Sequence, residues 1–258
     1  MAENAAGGRF VNRVGVVTGA ASGLGRATAM GLARDGARLV LFDRDEAGLR
    51  KTAQSCPGAV AVVGDVTKAE DHARAAEAAA QLGTVSLLAT AAGILGPTKP
   101  LAEVSEAEWD ELFDINVKGT WLTLRAFLPQ MLAAGRGAIV TFSSGAGLAG
   151  NNTFPAYSAS KGAIVLLTRS LAASHAAHGI RANTVCPGPI ETPMLRGTFA
   201  AAGDAHAAAE REALFKARNP MGRFGTADEI ADTALFLLSD TASYINGVAL
   251  PVDGGRLA

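Results

Sequence analysis

The chain has 258 residues, 49% of them hydrophobic and 18% charged. That is enough apolar material for a substantial core and too little charge for a disordered polymer. Lys and Arg number 23 against 24 Asp and Glu, a formal net charge of −1, which lacks the basic excess that nucleic acid or an anionic membrane surface demands. The two cysteines, Cys56 and Cys186, are far apart; they exclude a disulfide framework and a cysteine-rich zinc site, and they fit a reducing compartment.

Met1–Phe10 carries no apolar stretch of the signal-peptide kind and reads as a flexible tail. Beyond it, short apolar runs alternate with helical periods. The runs are Val14–Thr18, Arg38–Phe42, Val60–Val63, Leu87–Ala91, Ala138–Phe142, Arg181–Val185 and Val248–Val252. The helical periods are Leu24–Arg34, Glu46–Ser55, Ala69–Leu82, Glu106–Ala133, Tyr157–His178 and Ala227–Leu238. Three of these starts carry a capping box: Thr67 with Glu70, Ser105 with Glu108, and Thr226 with Glu229. Apolar strands without polar alternation belong to a sheet covered on both faces. Seven strands alternating with helices predict one α/β domain over residues 1–258, a doubly wound parallel sheet with helices on both faces. A β/α barrel would need an eighth strand–helix pair, which is missing. The uncharged stretches Ala78–Thr98 and Gly137–Ser160 are broken by Gly, Ser, Thr or Asn and do not read as membrane spans. The expectation is a soluble cytoplasmic protein with no membrane partner.

Thr18–Gly25 follows the first strand and opens the first helix, with glycines at Gly19, Gly23 and Gly25. Such a turn lets backbone approach a pyrophosphate and offers it free helix N–H groups. The alternative is an ordinary strand–helix turn. Asp43 closes the second strand, where a carboxylate accepts hydrogen bonds from ribose hydroxyls and repels a 2′-phosphate. This favours NAD over NADP; Ser22 supplies no base for a phosphate, whereas Arg44 keeps NADP open. The other role for Asp43, capping the next helix, can fall to Asp45.

Tyr157 and Lys161 stand at i and i+4, on one helix face. A cation there favours tyrosinate and lowers the phenol pKa towards working pH. Ser144 lies 13 residues earlier, just past the fifth strand, and Asn116 lies inside the long preceding helix. Taken singly, these are equally a surface pair, a turn serine and a solvated helix asparagine.

The joint order of these features resembles the short-chain dehydrogenase/reductase family, in its plain single-domain branch. The likeness runs from about Val11 to Gly255 and is carried by Thr18–Gly25, Asp65-Val66, Ala91-Ala92-Gly93, Asn116-Val117, Ser144, Tyr157 with Lys161, and Pro187-Gly188 running to Thr192. Gly222-Arg223-Phe224-Gly225 and the ending Pro251-Val252-Asp253-Gly254-Gly255 belong to it as well. The resemblance implies an NAD(H)-dependent interconversion of secondary alcohol and ketone, with Tyr157 as acid/base and Ser144 on the substrate oxygen. Lys161 would hold the nicotinamide ribose and depress the tyrosine pKa, and Asn116 would hold a water linking Lys161 to solvent. It implies cofactor contacts from Gly19, Ser22, Gly23, Leu24, Gly25, Asp43, Arg44, Asp65, Val66, Ala92, Gly93, Tyr157, Lys161, Pro187, Gly188, Ile190 and Thr192. Asp65 would meet the adenine and Thr192 the carboxamide. One departure is Thr90, where the family has Asn before Ala-Ala-Gly; its hydroxyl remains available.

Substrate contacts are implied from Gly145–Ala149, Asn151–Phe154 and Met194–Arg218, with residues 190–220 forming the substrate-binding loop and helices. The residues expected at the substrate are Leu95, Ala146, Asn151, Phe154 and Met194. Ile94, Leu148, Leu195 and Phe199 would add apolar wall. Asn151-Asn152 reads first as a turn. Phe154, His178 and Asp43 each differ from the acyl-carrier-protein reductases of the family and lean away from that alternative. A non-catalytic NAD-binding regulatory module would not need the intact Asn116, Ser144, Tyr157 and Lys161 set, and a sugar-nucleotide epimerase would need a longer C-terminal region. No metal site is expected: His175 and His178 sit at a helix C-terminus, where a histidinium suits the dipole. Trp109 and Trp121 read as packing or interface anchors. The two long helices carry more apolar residues than one sheet face covers, which predicts a homo-oligomer, a D₂ tetramer.

Overall fold

Each apolar run becomes a strand because its side chains can be buried on both faces of a sheet. In the computed structural model, which describes residues 8–200 and 204–258, the strands are β1 Val14–Thr18, β2 Arg38–Asp43, β3 Val60–Val63, β4 Val85–Thr90, β5 Gly137–Phe142, β6 Ile180–Pro187 and β7 Ala249–Val252. All pair in parallel in one sheet, in the order β3-β2-β1-β4-β5-β6-β7. The chain therefore reverses its direction of travel between β1 and β4, and the crevice at their carboxyl ends is where such sheets hold ligands.

The helices are α1 Gly23–Arg34, α2 Glu46–Gln54, α3 Ala69–Leu82, α4 Glu106–Phe113, α5 Gly119–Ala134, α6 Pro155–His175, α7 Pro193–Ala200, α8 Ala205–Ala217 and α9 Ala227–Leu238. Successive strand residues point to opposite faces. Val17, Leu39, Leu41, Leu87 and Ala89 pack with Leu32 of α1, Leu49 of α2 and Leu235 of α9. Val14, Val16, Val40, Phe42 and Leu88 pack with Ala75 of α3, Phe127 of α5 and Leu171 of α6. Both faces are thus covered, and the expected doubly wound sheet is present.

Several local expectations change. The tail reading does not hold for residues 8–10: Phe10 is fully buried and its N–H donates to Asp35 O at 2.8 Å. Burying a phenylalanine is worth about 1.5–3 kcal/mol, enough to hold the chain from that point. Residues 1–7 lie outside the described residues. The Thr67–Glu70 capping box does not form; Thr67 N and Oγ1 both donate to Asp65 Oδ1 at 2.9 Å, and α3 starts behind an uncapped Lys68. The other two boxes do form, at Ser105 and Thr226, and Asp45 caps α2 by accepting from Gly48 N. The helix expected over Glu106–Ala133 is interrupted by a π-helical turn, Asp114–Lys118. The apolar residues expected to overflow from α5 and α6 are mostly covered within the one chain: Leu122, Leu124, Phe127, Ile164 and Val165 are buried, while Trp121 and Leu166 are exposed. Among the described residues no helix is long and apolar enough to cross a membrane.

Candidate active site

A cleft of about 540 Å³ runs along the carboxyl ends of the strands. Its floor at one end is the turn between β1 and α1. Gly19 has φ +67°, and a Cβ there would lie 2.6 Å from Ala92 N. A Cβ on Gly25 would lie 2.1 Å from Gly19 O. Only glycine leaves this floor bare backbone. Thr18 holds the turn to the next strand end: its Oγ1 accepts from Ala92 N at 3.3 Å and its carbonyl from Ala91 N at 3.3 Å. Ser22, at the N-cap of α1, makes no side-chain cap bond, and the first turn of α1 has no acid. Unoccupied helix N–H groups above a bare floor suit an anion.

Asp43, at the end of β2, is half-buried and held by two backbone donors, Ala21 N to Oδ2 at 2.9 Å and Asp45 N to Oδ1 at 3.0 Å. Arg44 and Asp65 also line this end. Asp65 receives Thr67 on one oxygen, and its N–H donates to Asp71 Oδ2 at 2.7 Å. Arg74 is paired with the Asp71 carboxylate, and these two bonds hold it below the usual carboxylate range, the backbone donor most of all. These groups fit a dinucleotide: backbone for its phosphates, a fixed carboxylate for a ribose.

Further along, Ser144 follows β5 while Tyr157 and Lys161 project from the first two turns of α6, which opens with Pro155 at its first position. Tyr157 is buried against the edge of Phe154, ring centres 5.8 Å apart. Lys161 is buried too; its Nζ donates to Phe142 O at 3.0 Å and stands 5.6 Å from the centre of the Tyr157 ring. Burial pushes the Tyr157 phenol up to about 12, opposed by the neighbouring Ser144 hydroxyl, and pushes the Lys161 ammonium down to about 8. The ammonium is turned to the Phe142 carbonyl, and desolvation is the larger influence on the phenol.

Asn116 does not line the cleft; it stands just behind, almost wholly buried. The π turn aims it at the loop after β4, where Oδ1 accepts from Ile94 N at 2.8 Å and Nδ2 donates to Ile94 O at 3.0 Å. Nδ2 also donates to Ser160 Oγ at 3.1 Å, and Ser160 Oγ donates to Tyr157 O at 2.8 Å. The side chain thereby ties the β4 loop to the helix that carries Tyr157. One extra residue in a helical turn re-aims a side chain, and such turns recur at functional sites.

The cleft also takes in Gly23, Leu24, Val66, Gly93, Pro187, Gly188, Ile190 and Thr192, together with Leu95, Ala146, Asn151, Phe154 and Met194. Pro187–Thr192 is anchored from the far side: Glu191 N donates to Gly225 O at 2.9 Å and Gly225 N to Pro189 O at 3.0 Å. The Gly222–Gly225 motif is thus a clamp on this segment. Asn151 forms the anticipated turn, its Oδ1 accepting from Thr153 N at 2.8 Å. Two expected wall residues are elsewhere. Leu148 is exposed, and Phe199 is buried beneath the site against Phe215 and Phe224. Thr90, in place of the family's asparagine, is buried with no hydrogen-bond partner for Oγ1 among the described residues.

Sequence reasoning missed Ser143, whose Oγ donates to Lys161 O at 2.8 Å, and Ser160; neither has a spacing signal. It also missed Arg256 and Leu257, which close the cleft from the C-terminal turn, and it named Phe215 and Asp253 only within the spans Met194–Arg218 and Pro251–Gly255. His175 and His178 have ring centres 6.2 Å apart, and no group of three metal-ligating side chains occurs among the described residues.

Residues 19–256 match the family described as enoyl-(acyl carrier protein) reductase. The chain is 41% identical to 2-(S)-hydroxypropyl-CoM dehydrogenase 3 of Xanthobacter autotrophicus, over 97% of this chain and 98% of that protein. It is 40% identical to cis-4-hydroxycyclohexanecarboxylate dehydrogenase of Sinomonas cyclohexanicum, over 98% and 99% respectively. The crystal structure of levodione reductase superposes with a TM-score of 0.90 at 35% identity, covering 96% of this chain and 98% of that one. Fold, glycine turn, Tyr157–Lys161 pair and these relatives agree: the chain belongs to the short-chain dehydrogenase/reductase family, oxidoreductases that work with a nicotinamide cofactor.

Proposed function

We propose that the protein interconverts a secondary alcohol and a ketone, prefers NAD(H) to NADP(H), and uses Tyr157 as the acid/base. The observation that carries this reading is the single cleft joining the glycine turn to Ser144, Tyr157 and Lys161. The nicotinamide cofactor supplies or accepts the hydride. Tyr157 passes a proton to or from the substrate oxygen, because a carbinol losing hydride must lose its hydroxyl proton in step. Ser144 lines the cleft beside the phenol and would bond the same substrate oxygen. Lys161 presents a buried ammonium beside the tyrosine ring. The cofactor ribose and the Tyr157 oxygen are its roles here, and Asn116 serves it by locking the helix to the β4 loop and holding a water towards solvent.

The NAD preference rests on Asp43. Its carboxylate is fixed by two backbone donors, so it cannot swing away from a 2′-phosphate, and Ser22 offers no compensating charge. Arg44, exposed beside it, is the group that could admit NADP. The relatives' names point to small secondary alcohols, among them a ring alcohol bearing a carboxylate. On this reading the protein works in the cytoplasm and assembles as a homotetramer through the faces carrying Trp121 and Leu166; light scattering should give about 105 kDa, four times 26.2 kDa. A mass near 26 kDa ends that part.

The test of the chemistry is Tyr157→Phe. Kcat in alcohol oxidation should fall by about 10²–10⁴-fold, while NADH still binds, read by fluorescence titration. Near-normal turnover would make Tyr157 structural.

A further inference from the structure

Arg256, in the C-terminal turn, lines the cleft. Its guanidinium carbon stands 5.8 Å from the centre of the Phe215 ring, and its Nη1 is buried without a hydrogen-bond partner among the described residues. Guanidinium stays charged at any working pH, and a buried charged donor left unpaired is costly. Asp253 is the acid that opposes this, and its effect is the smallest of those acting on Arg256. Asp253 is turned back on its own loop, Oδ1 accepting from Gly255 N and Oδ2 from Leu257 N, both at 3.0 Å. No carboxylate among the described residues forms an ion pair with Arg256, and the other charge that acts on it is Arg218, of like sign.

The position within the cleft narrows what Arg256 awaits. Leu257, the next residue, reaches within 3.5 Å of where a Cβ on Gly145 would stand, and Gly145 follows Ser144. Phe215 meets the edge of Phe199 at 5.5 Å, on the helix that follows Thr192. Arg256 thus belongs to the substrate end, while Asp43 and Asp65 mark the other. We propose that Arg256 is an anion-binding residue of the substrate site, and that the substrate is a secondary alcohol or ketone carrying a carboxylate or sulfonate. A planar fork of donors suits either group, and the mostly apolar residues between, such as Phe154 and Met194, suit a short hydrocarbon spacer. Burial, aided by Arg218, holds the Arg256 pKa below its ordinary value; an anion opposes both effects.

This rests on the reading of the cleft as an alcohol dehydrogenase site, and the experiment separates the two. Calorimetry on the enzyme with saturating NADH compares cyclohexanecarboxylate and propane-1-sulfonate with cyclohexylmethanol, for the native protein, Arg256→Met and Arg256→Lys. The native protein should bind at least one anion tenfold or more tighter than the neutral alcohol. Arg256→Met should erase that preference, a 10- to 100-fold change, and Arg256→Lys should keep part of it. Equal binding of anions and alcohol by the native protein overturns the proposal, as does a preference that survives Arg256→Met. Loss of NADH binding in Arg256→Met overturns it too, since the residue would then serve the cofactor. Anion preference without alcohol oxidation would instead remove the proposed reaction and leave the subsite standing.

Discussion

At the glycine turn the cleft wall is main chain: Gly19 and Gly25 leave no space for a Cβ, and the Asp43 carboxylate is pinned by Ala21 and Asp45 N–H groups. Between α7, α8 and the C-terminal turn the wall is side chain. Met194 is 43% exposed, the Phe215 ring meets the edge of Phe199 and the Arg256 guanidinium, the Leu257 side chain reaches towards Gly145, and Arg256 carries an unpaired donor. A backbone wall accepts one partner and tolerates little change. A side-chain wall on short helices can be recut for a new substrate without disturbing the sheet that positions the chemistry.

The same substitution at both ends should break or establish this contrast most sharply. Gly25→Ala places a methyl group 2.1 Å from Gly19 O, and main chain cannot yield as a side chain can. NADH affinity should fall by about 100-fold or more, since overpacking costs roughly 1–3 kcal/mol even where neighbours can move. Gly197→Ala, in α7, meets nothing within 4 Å. It should gain up to about 1 kcal/mol of helix propensity, leaving NADH affinity within twofold and Tm no lower. Titration of NADH fluorescence and a thermal melt read both. If the two variants behave alike, the contrast is wrong.

That contrast also explains what could be read in advance. The backbone end was legible because its requirements fall on residue type: glycines at a strand–helix turn, an acid at a strand end. The sheet was legible because five-residue apolar runs have one stable home. Asn116 was legible as a residue and not as a conformation, since helical periodicity does not register one inserted residue, and the π turn is what aims it at Ile94. Thr67 looked like a cap until Asp65 claimed its hydroxyl. The spacing of Tyr157 and Lys161 put them side by side, yet it could not show the ammonium bonded to Phe142 O or the burial that pushes the phenol pKa up. Arg256, Leu148 and Phe199 depend on how loops and short helices fold over the site, which no local pattern encodes.

A smaller effect sharpens the charged part of the backbone end. Asp43→Ala removes the carboxylate and also the acceptor for Ala21 and Asp45, so kcat/KM with NAD should itself drop. The ratio of kcat/KM for NAD to that for NADP isolates the charge. It should move towards NADP by about tenfold, or about 1.4 kcal/mol. A native enzyme that prefers NADP, or a ratio untouched by the variant, would assign selectivity to Arg44.

Lys161 stands where the two ends meet, and its burial makes a stability prediction with a definite sign. The folded pKa is lowered to about 8 from the ordinary lysine value of 10.5, chiefly by desolvation. Between those values the unfolded chain binds more protons than the folded one, so stability rises with pH through this window. Below pH 8 both states hold the proton, and the full cost of burying the ammonium is present. From pH 8 to 9 the gain is about 1 kcal/mol, given that one pKa unit corresponds to about 1.4 kcal/mol. Tyr157 works in the other direction and later: raised to about 12 from 10, it stabilises the fold up to pH 10 and loses that contribution as pH climbs towards 12. Urea midpoints at pH 7, 8 and 9 for the native protein and Lys161→Met should therefore diverge in slope, the native protein gaining stability relative to the variant as pH rises. Parallel pH profiles would mean that Lys161 is solvated in solution and that the junction of the two ends is wetter than its packing implies.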